Sequence, residues 1–317
     1  METALYTYRE FTFDSVAEGQ KIFTRVYEPK GEKKAILQIV HGMAEHTGLY
    51  KEFCEFLAEN GILTVLDDHL GHGKSVLKGE DYGNFFGDIE NLLQDEKTLS
   101  SIITNEYPDL PFFMMGHSMG SFIVREFISR YPGKAKAAVI MGTSQGFPKA
   151  VWQAEKVILD SIIKSKGGDY KSKFVSDLSM KAYRKAFPEN SSAWVTSLPE
   201  EQERYIKDPL CGFPLTVSSY RTMGALINKI NKKEWYESVP KKMGLLLISG
   251  EQDPVGDLGK GVRNIYKKLI FTCHRAKLIL YPELRHALVN EKNREKVFGD
   301  ILFFLENEIA RNSVIKK

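Results

Sequence analysis

Cysteine is scarce in this chain of 317 residues, and so is any excess of charge of one sign. The three cysteines, Cys54, Cys211 and Cys273, are too few and too widely spaced for a disulfide framework or paired zinc ligands. We therefore expect reduced, mostly buried thiols. Lys and Arg exceed Asp and Glu by only 44 − 41 = 3, so nucleic acid is not an expected partner.

Long apolar runs are also missing. The strongest runs, such as residues 244–248, have the length of a strand, whereas a membrane-spanning helix needs about 18 apolar residues. The amino terminus has no basic segment followed by an apolar stretch, so we expect no secretory signal and a cytoplasmic location. No glycine-rich nucleotide-binding pattern follows a predicted strand. We therefore predict an enzyme or binding protein that uses no cofactor.

Apolar residues are abundant, at 43% of the chain, and their spacing predicts the fold. Residues 1–28 alternate between polar and apolar around a turn at residues 17–20, which is typical of an antiparallel hairpin. From Ala35 onward, short apolar runs alternate with helical patterns. Strands that read as continuous apolar runs and are separated by helices predict a mostly parallel, doubly wound α/β sheet.

This alternation stops near Gly142 and resumes at Met243. The segment between contains helical patterns but no strong strand, which predicts a helical insertion, or cap. We therefore divide the chain into a first core segment (residues 1–145), a cap (146–240) and a second core segment (241–317). The second core segment is expected to end with a helix reaching about Ala310.

The most informative motif is GHSMG, a G-x-S-x-G pattern between a predicted strand and a predicted helix. Such a turn needs small residues at Gly116 and Gly120, because side chains there would collide with the neighbouring strand and helix. It exposes the Ser118 hydroxyl at a helix N-terminus, where backbone amides favour negative charge. Together with His117, these residues are predicted to form a nucleophile elbow, although Ser118 as an ordinary helix cap is the alternative.

A serine nucleophile requires a base, and the base requires an orienting acid. In this type of fold both partners follow late strands, the acid before the histidine. We predict Asp253 as the acid and His286 as the base, each directly after a predicted strand. The competing acids are Glu251, Asp257 and Glu283. Asp257 is interpreted as the N-cap of the next helix, and Glu251 lies too near the strand end.

The oxyanion of an acyl-transfer intermediate needs two N–H donors. We predict the amide of Met119, directly after the nucleophile, and the amide of Met43, in the loop after an early strand. Gly42 would allow that loop to turn the Met43 amide inward, although an ordinary glycine turn is the alternative.

Five of the seven histidines lie in the first 117 residues, at positions His41, His46, His69, His72 and His117. Two of their spacings could indicate a metal site, but no nearby cysteine or carboxylate completes either pair on a helix face. We predict no metal. The loop at residues 67–75 is instead expected to be scaffolding, with its histidines bonded to the backbone.

Five motifs in this order, HGMAEH, DDHLGHGKS, GHSMG, SGEQDPVG and RHALVNE, resemble the monoacylglycerol lipase and lysophospholipase branch of the α/β-hydrolases. Related sequences are often called serine aminopeptidase-like. The resemblance covers both core segments and is weakest in the cap. It implies the α/β-hydrolase fold with a helical cap that shapes an acyl tunnel. It also implies a Ser118, Asp253 and His286 triad with Met43 and Met119 amides in the oxyanion hole.

The resemblance implies a lipid ester substrate, most simply a monoacylglycerol or a lysophospholipid. Two alternatives stay open: cleavage of peptides or thioesters by the same triad, and a noncatalytic binding module that has kept the fold. The sequence does not determine the oligomeric state.

The first cap helix places Val151, Ala154, Val157, Ile158 and Ile162 at helical spacing, with Trp152 and Ile163 nearby. This pattern favours burial over the site, and docking on a lipid surface is the alternative. Residues 149–185 contain nine Lys or Arg against four Asp or Glu, an excess of 9 − 4 = 5. Contact with an anionic membrane through the cap is therefore a hypothesis, and a simple solvated face is its alternative.

Overall fold

The structure is a computed structural model that describes residues 5–272 and 274–315. The described residues form one eight-stranded sheet. Its strands are β1 (Tyr6–Asp14), β2 (Lys21–Pro29), β3 (Ala35–Val40), β4 (Ile62–Asp68), β5 (Phe112–His117), β6 (Ala137–Met141), β7 (Gly244–Gly250) and β8 (Arg275–Tyr281). The α-helices in the described part are α1 (Lys51–Glu59), α2 (Ile89–Glu106), α3 (Met119–Arg130), α4 (Lys149–Lys166), α5 (Lys173–Ala186), α6 (Pro199–Lys207), α7 (Val217–Lys229), α8 (Lys233–Ser238), α9 (Lys260–Phe271) and α10 (Arg294–Ile315).

The strand order across the sheet is β1-β2-β4-β3-β5-β6-β7-β8. Strands β1 and β2 pair antiparallel, as does β2 with β4, and all other neighbouring strands pair in parallel. The central strands are buried along their whole length, which explains why β3 and β5 read as continuous apolar runs. The predicted fold class, a mostly parallel doubly wound sheet with an N-terminal hairpin, is confirmed.

Apolar clusters cover both faces of this sheet. On one face the cluster includes residues of α2, α3 and α9, and on the other it includes residues of α1 and α10. Helix α10 continues to Ile315, five residues beyond its expected end. In such a sheet, with helices on both faces, ligands bind beyond the carboxyl ends of the strands.

Helices α4 to α8 lie between β6 and β7 in the chain, and the sheet resumes at β7. Helices α4 and α7 pack against each other. A small apolar cluster joins Leu159 of α4, Val175 of α5 and Val217 of α7. The inserted helices therefore have a small core of their own, while residues of α7 and α8 also pack into one of the two cores of the sheet.

The prediction of which side of α4 is buried is wrong. Four of its five residues are exposed: Val151, Ala154, Val157 and Ile158. Trp152 and Leu159 form the buried side instead. The physical reason is a close contact with α7, where Gly224 has no side chain and leaves room for the Trp152 ring. The Trp152 ring, the largest side chain on the helix, therefore determines which side of α4 faces inward.

Two of the three cysteines can be described. Cys54 is buried in the core and Cys211 is half-buried, and both are free thiols. Cys273 lies outside the described residues.

Every helix in the described part of the chain is too short or too polar to cross a lipid bilayer.

A buried arginine joins the inserted helices to the sheet. Arg125 of α3 is fully buried, and burial lowers its pKa to about 10. Its guanidinium donates to the carbonyl oxygens of Ser144 (3.1 Å) and Ile230 (2.6 Å) and to Oδ1 of Asn231 (3.1 Å). It also lies 4.4 Å from the Trp235 ring centroid. The side chain thus contacts the chain where the insertion begins and where it ends.

Replacing Arg125 with methionine should lower the free energy of unfolding by about 3 kcal/mol, because the buried Ile230 carbonyl oxygen loses its donor and the bonds to Ser144 and Asn231 are lost with it. Urea unfolding measures this change. Arg130→Met is the control on the same helix as Arg125, since Arg130 forms an exposed ion pair with Glu90 of α2 and its loss should cost less than about 1 kcal/mol. Equal losses in the two variants would contradict a linking role for Arg125.

Candidate active site

The turn between β5 and α3 carries Ser118 in a strained backbone conformation, with φ 51° and ψ −120°. A side chain at Gly116 would collide with the backbone of Gly120, and one at Gly120 would collide with the backbone of Val40 in β3. The two glycines therefore allow α3 to start directly against the sheet. His117, the fourth member of the predicted elbow, is buried beneath the turn.

The loop after β3 lies beside this turn. A side chain built on Gly42 would come within 3.1 Å of the Ser118 Cβ, so the backbone bearing Met43 passes close to the serine. Ala44 has a positive φ of 52°, and its amide donates to Nε2 of His72 (3.1 Å). The Met43 and Met119 amides thus belong to two segments that meet at Ser118, and both residues line the same cavity.

Asp253 and His286 meet at the carboxyl ends of β7 and β8. Asp253 Oδ2 lies 3.0 Å from Nδ1 of His286, and the carboxylate is fully buried. Oδ1 of Asp253 accepts the Val255 amide (2.9 Å), and Ser249 donates to Oδ2 (3.3 Å). These bonds orient the acid toward the histidine. His286 is only 3% exposed and lines the cavity together with Ser118.

The competing acids lie elsewhere. Glu251 pairs with Arg263 (2.6 Å) and Glu283 with Lys292 (3.0 Å), both at the surface. Asp257 is exposed and has a positive φ of 53°. Its interpretation as a helix N-cap is wrong, because α9 begins three residues later and is capped by Gly259 in the left-handed region. The PVGDLG stretch forms consecutive turns that delay the helix.

Behind the site lies a buried network that the sequence-based predictions did not include. Oε1 of Glu45 accepts the Gly42 amide (2.5 Å) and the Tyr50 hydroxyl (2.6 Å), and it lies 3.1 Å from Nδ1 of His117. Burial raises the pKa of Glu45, but the charge of His117 and these hydrogen bonds outweigh it and hold the pKa at about 2. Nε2 of His117 reaches the carbonyl oxygen of His286 (3.3 Å). The network connects the three loops that meet at the cavity, and the HGMAEH motif was its only signal.

His72 of the scaffolding loop and His41 of the loop after β3 bond to the backbone, as expected. Nδ1 of His41 bonds to the Gly42 carbonyl (2.7 Å), and Nδ1 of His72 bonds to the Leu70 carbonyl (2.9 Å). Nε2 of His69 also bonds to the backbone, at the His41 carbonyl (3.2 Å). Its Nδ1, however, lies 3.2 Å from carboxylate oxygens of both Asp67 and Glu96. The fold completes this acid–histidine–acid group by supplying Glu96 from α2.

Two side-chain groups could offer metal ligands in the described part of the chain: the His69 group with Asp67 and Glu96, and a second group of His46, Asp208 and Cys211. His69 is buried, and a proton on its Nδ1 would bond to Oδ2 of Asp67 (3.2 Å). In the second group, Nδ1 of His46 accepts the Gly48 amide, so Nε2 carries the proton that faces Asp208 (3.0 Å). A proton therefore explains the contact between the histidine and the aspartate in each group.

The His69 group should make stability depend on pH. Burial alone would lower the pKa of His69, but the charges of Asp67 and Glu96 raise it to about 9. A histidine whose folded pKa lies above its ordinary 6.5 contributes stability that is complete below pH 6.5 and is lost as the pH rises through 9. We therefore expect the thermal midpoint to fall between pH 7 and pH 9.5, by about 2 °C or more per kcal/mol lost. His69→Gln should flatten this fall in calorimetry, and an unchanged fall would contradict the assignment.

The cavity above Ser118 has a volume of about 260 Å³. Its floor contains Met43, Ser118, Met119 and His286. Its wall comes from the inserted helices and is mostly apolar, and it includes Trp152, Leu159, Val175, Met180, Tyr183 and Met223. Glu155 is a charged exception among these wall residues. Such a cavity fits a chain-like apolar ligand with one polar end.

The strand order, the strained turn after β5 and the late loops at one sheet edge define the α/β-hydrolase fold. A family model described as serine aminopeptidase S33 matches residues 31–293. The chain belongs to this family.

Three proteins similar to this chain are an esterase and two lipases. A thermostable carboxyl esterase from Bacillus coagulans, solved in complex with glycerol, has a TM-score of 0.90 and 30% identity over 95% of this chain and 99% of its own. A monoacylglycerol lipase of Mycolicibacterium smegmatis is 26% identical over 304 residues, 96% of this chain and 99% of that protein. Human monoglyceride lipase is 33% identical over 125 residues, 39% of this chain and 40% of that protein. These matches confirm the predicted branch and the predicted enzyme class, a carboxylic ester hydrolase.

Proposed function

We propose that this protein hydrolyses monoacylglycerols, with Ser118 as the nucleophile, His286 as the general base and Asp253 as the acid that orients the base. The observation that carries the proposal is the 3.0 Å contact between Asp253 and His286 at the floor of an apolar cavity that also contains Ser118. Two of the three similar proteins are named for this substrate.

In the proposed reaction, Nε2 of His286 takes the Ser118 proton as the serine oxygen attacks the acyl carbonyl. The proton on Nδ1 stays hydrogen-bonded to Asp253, which stabilises the imidazolium. The amides of Met43 and Met119 donate to the oxyanion, and the N-terminus of α3 adds its dipole. His286 then protonates the departing glycerol oxygen, and an acyl-enzyme remains. Water, activated by the same histidine, releases the fatty acid.

We assign the acyl chain to the apolar wall, with residues 146–240 acting as the cap. Helices α4, α5 and α7 supply most of the apolar wall residues. Burial of a methylene group contributes about 0.8 kcal/mol, so each added carbon that fits the cavity should lower KM. The cap thereby selects for long acyl chains over short ones.

Glu155 favours a glycerol head group over a phosphate. Its carboxylate lines the cavity, and burial raises its pKa. A carboxylate accepts hydrogen bonds from glycerol hydroxyls and repels the phosphate of a lysophospholipid. The cationic wall residue Arg184 already pairs with Asp177 (3.1 Å), so it is less available to a phosphate. Monoacylglycerol is therefore preferred over lysophospholipid in this proposal.

Glu155 also supports the alternative hypothesis of peptide cleavage, since a carboxylate could bind the ammonium group of an aminoacyl substrate. A hydrolysis panel of monoacylglycerols, lysophospholipids, triacylglycerols, acyl thioesters and aminoacyl amides separates the candidates. We expect the highest kcat/KM for a monoacylglycerol. A clear preference for aminoacyl amides would reverse the assignment, and a preference for lysophospholipids would remove the role given to Glu155.

Glu155→Gln should reduce the preference for monoacylglycerol over lysophospholipid by about 10-fold, because the variant removes a charge near the head group and keeps the shape. The measurement is the ratio of kcat/KM for the two substrates with the same acyl chain. Glu200→Gln is a control at the start of α6, where the carboxylate is exposed. An unchanged ratio in Glu155→Gln would place the head group elsewhere.

We also propose that the cap docks on anionic membranes. Phe147, Ile158 and Leu178 line the cavity and are exposed, so they form an apolar rim at its entrance. Phe174, on the same helix as Leu178, is 61% exposed. Residues 149–185, which include Ile158, Phe174 and Leu178, carry an excess of five positive charges. Apolar side chains with basic neighbours are the pattern of interfacial binding.

Flotation with vesicles that contain anionic lipid tests the docking. Phe174→Ser should reduce the bound fraction, and Phe303→Ser is the matched control, since Phe303 is 63% exposed but lies on α10. Equal flotation of both variants and the unmodified protein would argue against docking through the cap.

A further inference from the structure

Cap residues 193–197 run beside the segment that carries His286. The amide of Ala287 donates to the Val195 carbonyl (2.7 Å), and the Thr196 hydroxyl donates to the Asn290 carbonyl (2.9 Å). The side chain of Arg285 donates to the Ala193 carbonyl. The general base is therefore attached to the cap on both sides of its own position in the chain.

One buried carboxylate lies at the centre of this contact. Glu291 is 1% exposed. Its Oε1 accepts the amides of Arg285 and Ser197, each at 2.8 Å, and its Oε2 accepts the Ser197 hydroxyl (2.5 Å) and the Lys292 amide (3.1 Å). A buried carboxylate held by amides and a hydroxyl is stable only while those donors stay in place. Glu291 thus bonds at once to the residue before His286 and to the cap.

The same cap segment also determines what covers the imidazole. The ring of Trp194 lies 5.1 Å from the ring of His286, and the His117 ring lies 4.6 Å from it. Asp253 holds Nδ1 of the same imidazole. Because Trp194 is three residues from Ser197, displacing Ser197 would change the packing on the base as well as the backbone that carries it.

We infer that Glu291 is a positioning residue. It holds His286 in the correct position relative to Ser118, because it hydrogen-bonds the loop of the base to cap residues 193–197. The inference rests on the proposed function, since it assigns Glu291 a role only if His286 is the base. Glu291 does not contact the cavity floor and acts through Arg285 and Ser197. The base is then correctly placed only when cap residues 193–197 are packed against the loop that carries His286.

Glu291→Gln tests the inference, because it keeps the shape but turns one acceptor into a donor that faces amide donors. On a soluble p-nitrophenyl ester we expect kcat to fall by about 100-fold, the effect of a small displacement of a catalytic group, with KM nearly unchanged. The rate at which a fluorophosphonate probe phosphonylates Ser118 should fall in parallel. Glu295→Gln, at an exposed position in the first turn of α10, is the matched control and should behave like the unmodified protein.

Ser197→Ala provides a second variant that removes one donor from the cap side. We expect a loss in kcat of about 5-fold, the size of one hydrogen bond, and little further loss when it is combined with Glu291→Gln. All rates are expressed per active site titrated with the fluorophosphonate, so misfolded molecules do not count. The pH profile of kcat/KM should shift in Glu291→Gln, which a purely structural role would not cause.

An unchanged kcat per titrated site in Glu291→Gln would overturn the inference, as would a rise in KM with kcat intact. Full additivity of the two variants would also overturn it, because the two side chains would then act separately. Failure of the proposed function is distinguishable: in that case the unmodified protein itself would neither hydrolyse the ester nor react with the fluorophosphonate.

Discussion

Ser118→Ala is expected to lower kcat for a medium-chain p-nitrophenyl ester by about 10⁴-fold or more. The change removes the only atom that would form the acyl-enzyme. The fold should persist, because alanine keeps the Cβ in the strained turn, where φ is 51°. Gly116 and Gly120, which create the space for that turn, are untouched. The thermal midpoint should therefore stay close to that of the unmodified protein.

Ser176→Ala is the control for this experiment, since Ser176 also lines the cavity but belongs to the cap helix α5. It should keep nearly all activity. Near-normal turnover by Ser118→Ala, with the protein free of contaminating esterase, would refute Ser118 as the nucleophile.

The second large effect is expected for Asp253→Asn, with a fall in kcat of about 10⁴-fold. An amide at this position can donate a hydrogen bond to Nδ1 of His286, which places the imidazole proton on Nε2. In that tautomer the histidine cannot accept the Ser118 proton. The acid is also held by Val255 and Ser249, so the asparagine should keep the local geometry. Steady-state kinetics and a crystal structure of the variant would measure both points.

Asp257→Asn is the matched control, because Asp257 lies four residues away and is exposed. Its activity should be unchanged. If Asp257→Asn or Glu283→Gln lost activity while Asp253→Asn retained it, the orienting acid would have to be reassigned.

Much of the fold follows from local pattern. Strands such as β3 and β7 are buried on both faces, so they must be apolar along their whole length, and the helices between them require parallel crossovers. The GHSMG turn could be predicted for a similar reason. Its geometry depends on glycines within five residues of sequence, and such local constraints are visible in the sequence itself.

The cap was less predictable. The hydrophobic spacing of α4 indicated one apolar face, but the contact between Trp152 and Gly224 orients another face inward. Those two residues are 72 positions apart in the chain. A periodic pattern identifies an amphipathic helix, whereas the partner that it packs against determines which of two similar faces is buried.

Short-range spacing in the sequence is enough to predict the doubly wound sheet, the turn that carries Ser118 and the two late loops that supply Asp253 and His286. The side chains that meet behind the site follow only from the packing of the whole chain: Glu45 with His117, His69 with Glu96, and Glu291 with Ser197. These contacts join segments far apart in the chain, and burial makes each polar group depend on a partner that no local pattern specifies.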